Sequence, residues 1–354
     1  MIPHYRNIHN RFKINGFHIE KQSLFQLAYS LIKEGASFEK EFGEFLLDWI
    51  DDKETIVLTT SGTTGMPKNI TVNKQAMVNS AIATANFFDL RPGDTILHAL
   101  PSRYIAGKMM LVRAIIIGLE IDLIAPNSHL NDLLPNKKYD FTALVPLQAE
   151  NSLDKLHQFK KIIIGGAKVS DDLALKLQTI PSDIYETYGM TETLTHIAAR
   201  KIGEPFFNVL EHASISKDER ACLVIEAPTI TDGKIITNDI VEIQNNRQFQ
   251  WLGRYDNVIN SGGIKLFPEQ IEAKLASQIG VPFFIASEPD PILGHKVILV
   301  LESDKEISLD SQIFDGLEKF EKPKATYLVS HFERTETTKI NRTETLKKIK
   351  VNVS

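Results

Sequence analysis

The order of apolar and amphipathic segments predicts an α/β fold in which a mainly parallel sheet is layered with helices. Short apolar runs alternate with helical patterns between residues 55 and 197, as in successive strand–helix units. After Ile197 short strands separated by turns take over, which predicts a small β-subdomain beside the main sheet. A renewed alternation after residue 256 predicts a smaller α+β domain at the C-terminal end.

The first fifty residues predict two amphipathic helices. Apolar residues follow the i, i+3, i+4, i+7 spacing over 24–32, with Ser23 as the expected N-cap and Gly35 as the expected end. An aromatic-rich stripe over 38–50 repeats this spacing. We interpret both stripes as core packing rather than as the lining of an acyl pocket. Residues 1–54 are therefore predicted to form a helical N-terminal extension.

The remaining elements follow from the same patterns. Strands are expected at 95–99, 121–125, 141–145, 160–164, 184–187, 221–226, 234–236, 240–244, 283–286, 296–301 and 325–329. Helices are expected at 73–88, 105–118, 148–159, 170–177, 308–320 and 341–349, with a further helix beginning at Pro268. Asn73 and Ser170 are the expected N-caps of the first and fourth of these helices.

Composition describes a chain that can bury a full core. Of its 354 residues 43% are hydrophobic, and the net charge of −5 leaves no basic footprint for nucleic acid or an anionic membrane. Cys222 is the only cysteine, so an internal disulfide or a thiolate metal cluster is excluded and a reducing compartment is expected. The first residues lack the apolar block of a signal peptide, and the longest apolar stretch, 109–119, is too short for a bilayer. These features predict a cytoplasmic protein without membrane insertion; they do not exclude a homodimer.

The segment after the apolar run 55–58 has the composition of a phosphate-binding loop. Hydroxyls and backbone N–H groups donate to phosphate oxygens, glycines allow close approach of the backbone, and a lysine adds a positive charge. It is not a Walker A loop, because Met66 and Pro67 separate the second glycine from the lysine and Asn69 stands where Ser or Thr is required. An ordinary Ser/Thr/Gly loop is the alternative. The candidate phosphate ligands are Thr60, Ser61, Gly62, Thr63, Thr64, Gly65 and Lys68.

A second chemical signature follows the strand expected at 184–187. Tyr188 offers an aromatic face for a purine, Thr191 a hydroxyl for the α-phosphate, and Glu192 a carboxylate for Mg²⁺. A weaker signal is the turn Gly165-Gly166-Ala167, since a Gly-Gly turn after a strand is a common structural device.

These segments resemble signatures of the adenylate-forming superfamily, which includes acyl-CoA synthetases, luciferases and peptide-synthetase adenylation domains. The resemblance extends from about Thr55 to Arg342, with four signatures in the expected order. It implies an adenylation core over residues 55–255. It further implies that residues 1–54, which precede this core, replace most of the first subdomain of relatives. It also implies that a nucleotide lies against Gly165, Gly166, Ala167, Tyr188 and Gly189.

Two further segments gain roles from this resemblance. Asp239 is implied to bind both ribose hydroxyls; Asn238 replaces a glycine of relatives, and because asparagine tolerates positive φ the turn is expected to survive. In the junction segment 253–272, Arg254 is implied to reach a ribose or phosphate oxygen. Asp256 is implied to be a hinge about which residues 256–354 rotate between two half-reactions. Gly262 and Gly263 of this segment are assigned to the cofactor site.

The last signature contains Lys339. The resemblance implies that this lysine contacts the substrate carboxylate and the α-phosphate during adenylation, although Thr338 stands where relatives have glycine. The predicted catalytic set is thus Lys68, Thr191, Glu192 and Lys339, with Glu192 holding Mg²⁺. Catalysis of this kind depends on positioning and on donors aimed at developing charge more than on a general base.

The implied reaction has two steps and uses ATP, Mg²⁺ and CoA. A small-molecule carboxylate attacks the α-phosphate of ATP and forms an acyl-adenylate, and the CoA thiol then displaces AMP. The short N-terminus and residues 100–113 look most like the o-succinylbenzoate–CoA ligases of menaquinone synthesis. The alternatives are another aryl- or acyl-CoA ligase, a stand-alone domain that loads a carrier protein, and a non-catalytic acyl- or nucleotide-binding module.

Three residues are predicted to contact the acid: Tyr104, Gly107 and Arg113. Arg113 lies in a helix that is otherwise apolar nearly all round, where a charge is costly unless it is paired. Its planar guanidinium suits a carboxylate, so we expect it to bind the ring carboxylate of o-succinylbenzoate. The alternatives are an ion pair with an internal Asp or Glu, and a side chain that reaches the surface.

Overall fold

The computed structural model describes residues 3–59, 69–334 and 340–351. The strands of these residues are β1 (Lys13–Ile14), β2 (Phe17–His18), β3 (Thr55–Thr59), β4 (Asn69–Asn73), β5 (Thr95–His98), β6 (Glu120–Leu123), β7 (Tyr139–Leu144), β8 (Phe159–Ile164), β9 (Asp183–Gly189), β10 (His196–Lys201), β11 (Phe207–Val209), β12 (Ser214–Lys217), β13 (Cys222–Glu226), β14 (Lys234–Asn245), β15 (Gln248–Arg254), β16 (Ile259–Ser261), β17 (Ile264–Leu266), β18 (Phe283–Asp290), β19 (Gly294–Glu302) and β20 (Ala325–Val329). The α-helices are α1 (Leu24–Glu34), α2 (Ser37–Ile50), α3 (Lys74–Phe88), α4 (Ile105–Ile117), α5 (Pro146–Asn151), α6 (Asp171–Gln178), α7 (Pro268–Leu275) and α8 (Arg342–Val351). Among these described helices none is long and apolar enough to cross a membrane.

One sheet of thirteen strands runs through the large domain, in the order β12-β13-β14-β15-β11-β10-β9-β8-β7-β5-β6-β1-β2. Neighbours from β9 to β1 are parallel, whereas those from β9 to β12 are antiparallel. The predicted class, a sheet layered with helices and followed by a small domain, is confirmed. The strands expected as a separate β-subdomain instead extend the same sheet.

The two N-terminal helices pack on the parallel half of this sheet, as the amphipathic patterns predicted. Their buried side chains share a core with α4 and with strand residues such as Ile96; this core includes Leu24, Ala28, Phe42, Phe45, Leu46 and Trp49. Ser23 lies at the N-cap position of α1, as predicted, but it ends a short 3-10 turn and its side chain makes no cap hydrogen bond. Asn73 and Ser170 do cap α3 and α6, accepting from the N–H groups of Gln75 and Leu173.

The strand that precedes the predicted phosphate loop lies outside the main sheet. Within the described residues β3 pairs only with β4, in an antiparallel register that ends at Thr59↔Asn69. Ile56 and Leu58 are buried while Val57 is exposed, so the strand packs one face on the core rather than both. Residues 60–68, which carry the predicted phosphate ligands, connect these two strands and fall outside the described residues.

A buried lysine ties the N-terminal helices to α3. Lys74 has no exposed surface, and its Nζ donates to the carbonyl oxygens of Trp49 (3.0 Å) and Asp51 (3.2 Å) and to the Asp51 carboxylate (2.6 Å). All three donor positions of the ammonium group are thus used.

The small domain contains a five-stranded sheet, β17-β16-β19-β18 with β20 beside β19, together with α7 and α8. The helix predicted over 308–320 is wrong: only a 3-10 turn, Ser311–Phe314, forms there. Its apolar residues, Leu309, Ile313, Phe314 and Leu317, do pack on the domain core, but Gly316 interrupts the segment and disfavours continuation of a helix.

The helix predicted over 148–159 is also divided in two. α5 ends at Asn151 and a 3-10 helix, Leu153–Gln158, follows. Ser152 at the break is buried, and its hydroxyl accepts from the N–H of Leu130 (3.0 Å). A tertiary hydrogen bond therefore replaces helical continuity at this position.

Replacing Lys74 with methionine should lower the free energy of unfolding by about 2–4 kcal/mol. The change keeps the length of the side chain but leaves two carbonyl oxygens and a carboxylate without their shared donor. Chemical denaturation measures the loss. Lys53→Met is the matched control, because Lys53 also faces Asp51 (3.8 Å) but is 80% exposed. Equal losses in the two variants would contradict the structural role of Lys74.

A second prediction concerns pH. His98 is buried, its Nε2 lies 2.9 Å from Ser102 Oγ, and burial lowers its pKa from 6.5 to about 4. The unfolded chain therefore takes up this proton first as the pH falls. The contribution of neutral His98 to stability is complete above pH 6.5 and is lost as the pH falls towards 4, by roughly 3 kcal/mol in total.

His98→Gln should flatten this part of the pH profile of the unfolding free energy, as followed by urea denaturation between pH 4 and 7. The exposed His157→Gln variant should retain the wild-type slope. A wild-type slope in His98→Gln would refute the assignment.

Candidate active site

Two predicted site segments follow neighbouring parallel strands, so both lie at the carboxyl edge of the sheet, where α/β proteins bind ligands. The turn 165–167 follows β8, and residues 190–193 follow β9. Gly165 donates its N–H to Leu144 O (3.1 Å), and a Cβ there would lie 2.6 Å from Thr187 Oγ1. Gly166 has φ +83°. Close packing and backbone conformation both require glycine in this turn.

Tyr188 and Asp239, which are 51 positions apart, are joined directly. The Tyr188 hydroxyl donates to Asp239 Oδ2 at 2.6 Å. Burial, followed by the nearby Asp239 carboxylate, raises the pKa of Tyr188 far above its usual range, so the hydroxyl remains a donor. The Tyr188 ring makes edge contacts with Phe207 and Phe249. One of the predicted adenine ligands thus also orients the predicted ribose ligand.

The Asp239 carboxylate has two further donors. Its Oδ1 accepts from the Trp251 indole N–H (3.2 Å) and from Arg254 Nη1 (3.4 Å). Arg254 also lies 3.6 Å from the carboxylate of Asp256, the predicted hinge. The structure therefore brings five residues into one polar cluster, Tyr188, Asp239, Trp251, Arg254 and Asp256, of which only Trp251 was missed by the sequence patterns. An isolated tryptophan in a strand carries no signal of this kind.

Asn238 does not form the turn that was expected of it. It lies within β14 and does not have positive φ, so the rationale from left-handed conformation is wrong. The extended strand needs no glycine here. The Asn238 amide instead contacts Arg220 (2.9 Å) and Asp256 (3.3 Å).

Thr191 and Glu192 lie in a 3-10 turn, Thr191–Thr193, directly after β9. The hydroxyl of Thr193 closes this turn through contacts with Met190 and Thr195. Glu192 is exposed. No cluster of three metal-ligating side chains occurs in the described part of the chain. A single carboxylate nevertheless suits Mg²⁺, which commonly combines one or two carboxylates with the phosphates of the substrate.

Arg113 is buried in α4, where no described carboxylate pairs with it. It is 2% exposed, its Nη1 lies 3.6 Å from Met110 Sδ, and its Nε has no partner among the described residues. Burial lowers the pKa of Arg113 to about 10, so the guanidinium is charged at neutral pH. Neither alternative from the sequence, an internal ion pair or a side chain at the surface, is observed within the described ranges.

His196, which the sequence did not single out, lies near this guanidinium, and His212 lies near His196. Burial, followed by the charge of Arg113 and by His212, lowers the pKa of His196 well below its usual value. Burial also lowers the pKa of His212 to about 4, and neither of its ring nitrogens has a described partner. His196 Nε2 lies 3.3 Å from Thr84 Oγ1 of α3. At neutral pH a charged Arg113 therefore lies near a neutral His196, and polar atoms of Arg113 and His212 have no described partner.

Strand pairing connects the two halves of the site. Gly189 of β9 pairs with His196 of β10, and Tyr188 pairs with Ala198. A Cβ on Gly189 would lie 2.3 Å from Thr195 O and 2.5 Å from His196 Cα. The Tyr188–Asp239 cluster and the Arg113–His196 region are therefore neighbours across a contact that only glycine permits.

Of the remaining predicted residues, some lie in the described part of the chain and the others do not. Tyr104 is 42% exposed before α4, under the Arg103 guanidinium (4.9 Å). A Cβ on Gly107 would lie 2.3 Å from Pro101 O, so packing explains this glycine and its contact with substrate stays a prediction. Gly262 and Gly263 form the positive-φ turn between β16 and β17. Residues 60–68, including Lys68, and Lys339 lie outside the described chain.

Comparison with known proteins places this geometry in context. The family model described as AMP-binding enzyme matches residues 32–218. A 2-succinylbenzoate–CoA ligase of Staphylococcus aureus (strain MSSA476) is 26% identical over 323 residues, which cover 81% of this chain and 64% of the relative. A ligase of the same name from Enterococcus faecalis (strain ATCC 700802 / V583) is 23% identical and is covered to 67%. The chain thus spans about two thirds of the length of these curated relatives.

The chain is also similar to two solved structures. An acyl-CoA synthetase (AMP-forming)/AMP-acid ligase II-like protein from Dyadobacter fermentans DSM 18053 is 34% identical, with a TM-score of 0.62 over 92% of this chain and 98% of that one. The o-succinylbenzoate coenzyme A synthetase from Bacillus subtilis, in complex with ATP and magnesium ion, shares the fold at 19% identity, with a TM-score of 0.70 over 92% of this chain and 82% of that one. Since the family model covers more than half of the residues, the chain belongs to the AMP-binding enzyme family.

Proposed function

We propose that this protein activates a carboxylic acid with ATP through an acyl-adenylate and then forms the CoA thioester, and that the acid is o-succinylbenzoate. The observation that carries the choice of acid is the buried, unpaired guanidinium of Arg113 beside His196. The names of the relatives from Staphylococcus aureus and Enterococcus faecalis point to the same acid.

The nucleotide half of the site supports the adenylation step. Asp239 offers a carboxylate oriented by Tyr188 for a ribose diol, and the glycine turn at 165–167 gives a flat approach for a base. Thr191 and Glu192 follow directly, where the α-phosphate and Mg²⁺ would lie. The metal would neutralise phosphate charge that otherwise repels the attacking carboxylate. Lys68 and Lys339 are proposed to supply the remaining positive charge.

The acid half supports a substrate with a second carboxylate. The carboxylate that reacts must reach the α-phosphate and cannot remain buried against Arg113. A buried guanidinium without a partner costs several kcal/mol, and a spectator carboxylate would offset that cost. Because His196 is neutral, it adds no charge beside Arg113, and the single guanidinium charge matches one carboxylate. The ring carboxylate of o-succinylbenzoate meets both requirements.

Pyrophosphate release tests the proposal directly. We expect ATP-dependent release with o-succinylbenzoate and a CoA thioester only when CoA is added. Release without transfer to CoA would favour a domain that loads a carrier protein, and preference for another acid would favour a different acyl-CoA ligase. Absence of release with every acid in an aryl and acyl panel would refute the adenylation function.

Arg113→Leu should raise KM for o-succinylbenzoate by about 10²-fold, as expected when one partner of a buried charge pair is removed. The ratio of kcat/KM for o-succinylbenzoate to kcat/KM for 4-phenyl-4-oxobutanoate, the analogue that lacks the ring carboxylate, should shrink by a similar factor. Arg91→Leu is the control, because Arg91 is 73% exposed beside Asp89.

Thermal unfolding gives an independent measure of the role of Arg113. Without ligand the Arg113→Leu variant should be at least as stable as wild type, because an unpaired buried charge is replaced by an apolar group. Added o-succinylbenzoate should raise Tm only in the wild type and the Arg91→Leu control. If wild-type enzyme uses o-succinylbenzoate and 4-phenyl-4-oxobutanoate equally well, the assignment of Arg113 fails.

Lys339→Ala should slow acyl-adenylate formation by about 10²–10³-fold, the usual scale for loss of one charged stabiliser of the transition state. Thioester formation from supplied acyl-adenylate should change little. The two half-reactions are followed separately, by pyrophosphate release and by thiol consumption. Lys347→Ala is the control, since Lys347 is exposed and pairs with Glu344. An equal loss in both half-reactions would contradict a role confined to adenylation.

A further inference from the structure

The carboxylate of Asp239 is nearly saturated with donors. The Tyr188 hydroxyl occupies Oδ2, while the Trp251 indole and Arg254 share Oδ1. A carboxylate offers about four acceptor positions, and a ribose diol that donates both hydroxyls needs two of them. With three positions in use, such a ligand binds fully only if one of the present donors leaves.

Arg254 is the donor that can leave at least cost. Its contact with Asp239 is the longest of the three, at 3.4 Å, and its side chain is 48% exposed. The Tyr188 hydroxyl bond is much shorter, and its ring is held by two phenylalanines. The Trp251 side chain is half-buried and packs against the core of the antiparallel half of the sheet. Arg254 can turn towards solvent or ligand without disturbing that core.

The same arginine also holds the predicted hinge. Arg254 Nη2 lies 3.6 Å from Asp256 Oδ2, and Asn238 Nδ2 donates to that oxygen at 3.3 Å. Arg220 donates to Asn238 Oδ1 at 2.9 Å, and its guanidinium lies over the ring of Tyr255 at 5.1 Å. The short turn Tyr255–Asn257 is therefore held to the large domain from two sides.

We propose that a ribose at Asp239 and the hinge at Asp256 compete for Arg254, and that Asn238 is a positioning residue that restrains the hinge. When a ribose diol takes the place of Arg254 on Asp239, the guanidinium turns towards the ligand and its hold on Asp256 weakens. Asn238, fixed by Arg220, then remains the direct contact to Asp256. The hinge thus loosens when nucleotide is bound, to an extent that Asn238 limits. This inference rests on the proposed function in assigning a ribose to Asp239 and a hinge to Asp256.

Hydrogen exchange of the backbone amides at 255–258 in the full chain tests the competition. Adenosine is the probe, because it carries the diol and makes no phosphate contact, and calorimetry establishes its saturation. We expect exchange at these amides to become about three- to tenfold faster with adenosine, the scale of one lost exposed hydrogen bond or ion pair. 2′,3′-Dideoxyadenosine at saturation should leave the rates unchanged, because it has no diol to displace Arg254.

Variants of Asn238 test the restraint. Asn238→Asp keeps the acceptor for Arg220 but replaces the donor to Asp256 with a negative charge that repels it. The backbone amides at 255–258 should therefore exchange faster than in wild type, even without nucleoside. The double variant Asn238→Asp/Asp256→Asn restores a donor–acceptor pair in reverse and should return exchange to near the wild-type rate. Asn245→Asp is the matched control, since it adds the same charge to β14 beside Gln248, away from the hinge. Asn238→Ala removes the donor without adding charge and should act in the same direction.

The outcomes separate this inference from the proposed function. If wild-type protein binds adenosine but both nucleosides give the same exchange at 255–258, the competition is refuted while the nucleotide site stands. If Asn238→Asp and Asn245→Asp give equal exchange, the restraint by Asn238 is refuted. If adenosine does not bind at all, the ribose assignment of Asp239 is refuted, and this inference with it.

Discussion

The close approach of Gly189 to the backbone of β10 is the constraint on which the site depends. No other residue fits there, because a Cβ would lie 2.3 Å from Thr195 O. The contact keeps β9 and β10 paired at their ends, so that Tyr188 meets Asp239 on one side while His196 lies near Arg113 on the other. The proposed intermediate, an acyl-adenylate, joins an acid to a nucleotide through one phosphate. The acid half and the nucleotide half of its binding site must therefore lie next to each other.

Two buried cations show how partners distinguish a structural charge from one suited to a ligand. Lys74 has every donor position filled by the chain itself, so its charge is compensated in the folded protein. Arg113 is equally buried but has only a weak thioether contact, and its Nε faces no described acceptor. The neutral state of His196 avoids adding further charge beside one that is already uncompensated. Burial alone does not distinguish the roles of Lys74 and Arg113, whereas their hydrogen-bond partners do.

Local patterns in the sequence predicted β5 to β9 of the parallel half of the sheet, because each strand–helix unit there is contiguous in the chain, whereas the two-residue strand β1 was not predicted. Periodicity also predicted α1 and α2, Pro268 predicted the start of α7, and Asn73 and Ser170 were correctly expected to cap α3 and α6. The helix expected over 308–320 did not form, since its apolar residues could pack on the core from irregular chain interrupted by Gly316. The contacts of Trp251, His196 and Asn238 could not be predicted, because they join strands distant in sequence. The resemblance identified the residues that such contacts bring together, but the additional partners appeared only in the structure.

The position of β1 has a consequence for synthesis of the chain. Lys13 and Ile14 pair with Glu120 and Ile121, so the N-terminal strand leaves the ribosome more than a hundred residues before its partner. At ordinary translation rates that interval lasts roughly five to twenty seconds. During it the apolar faces of α1 and α2 have neither α4 nor the sheet to cover them. The segment that pairs at this edge of the finished sheet is thus exposed to chaperones and to aggregation until its partner strand has been made.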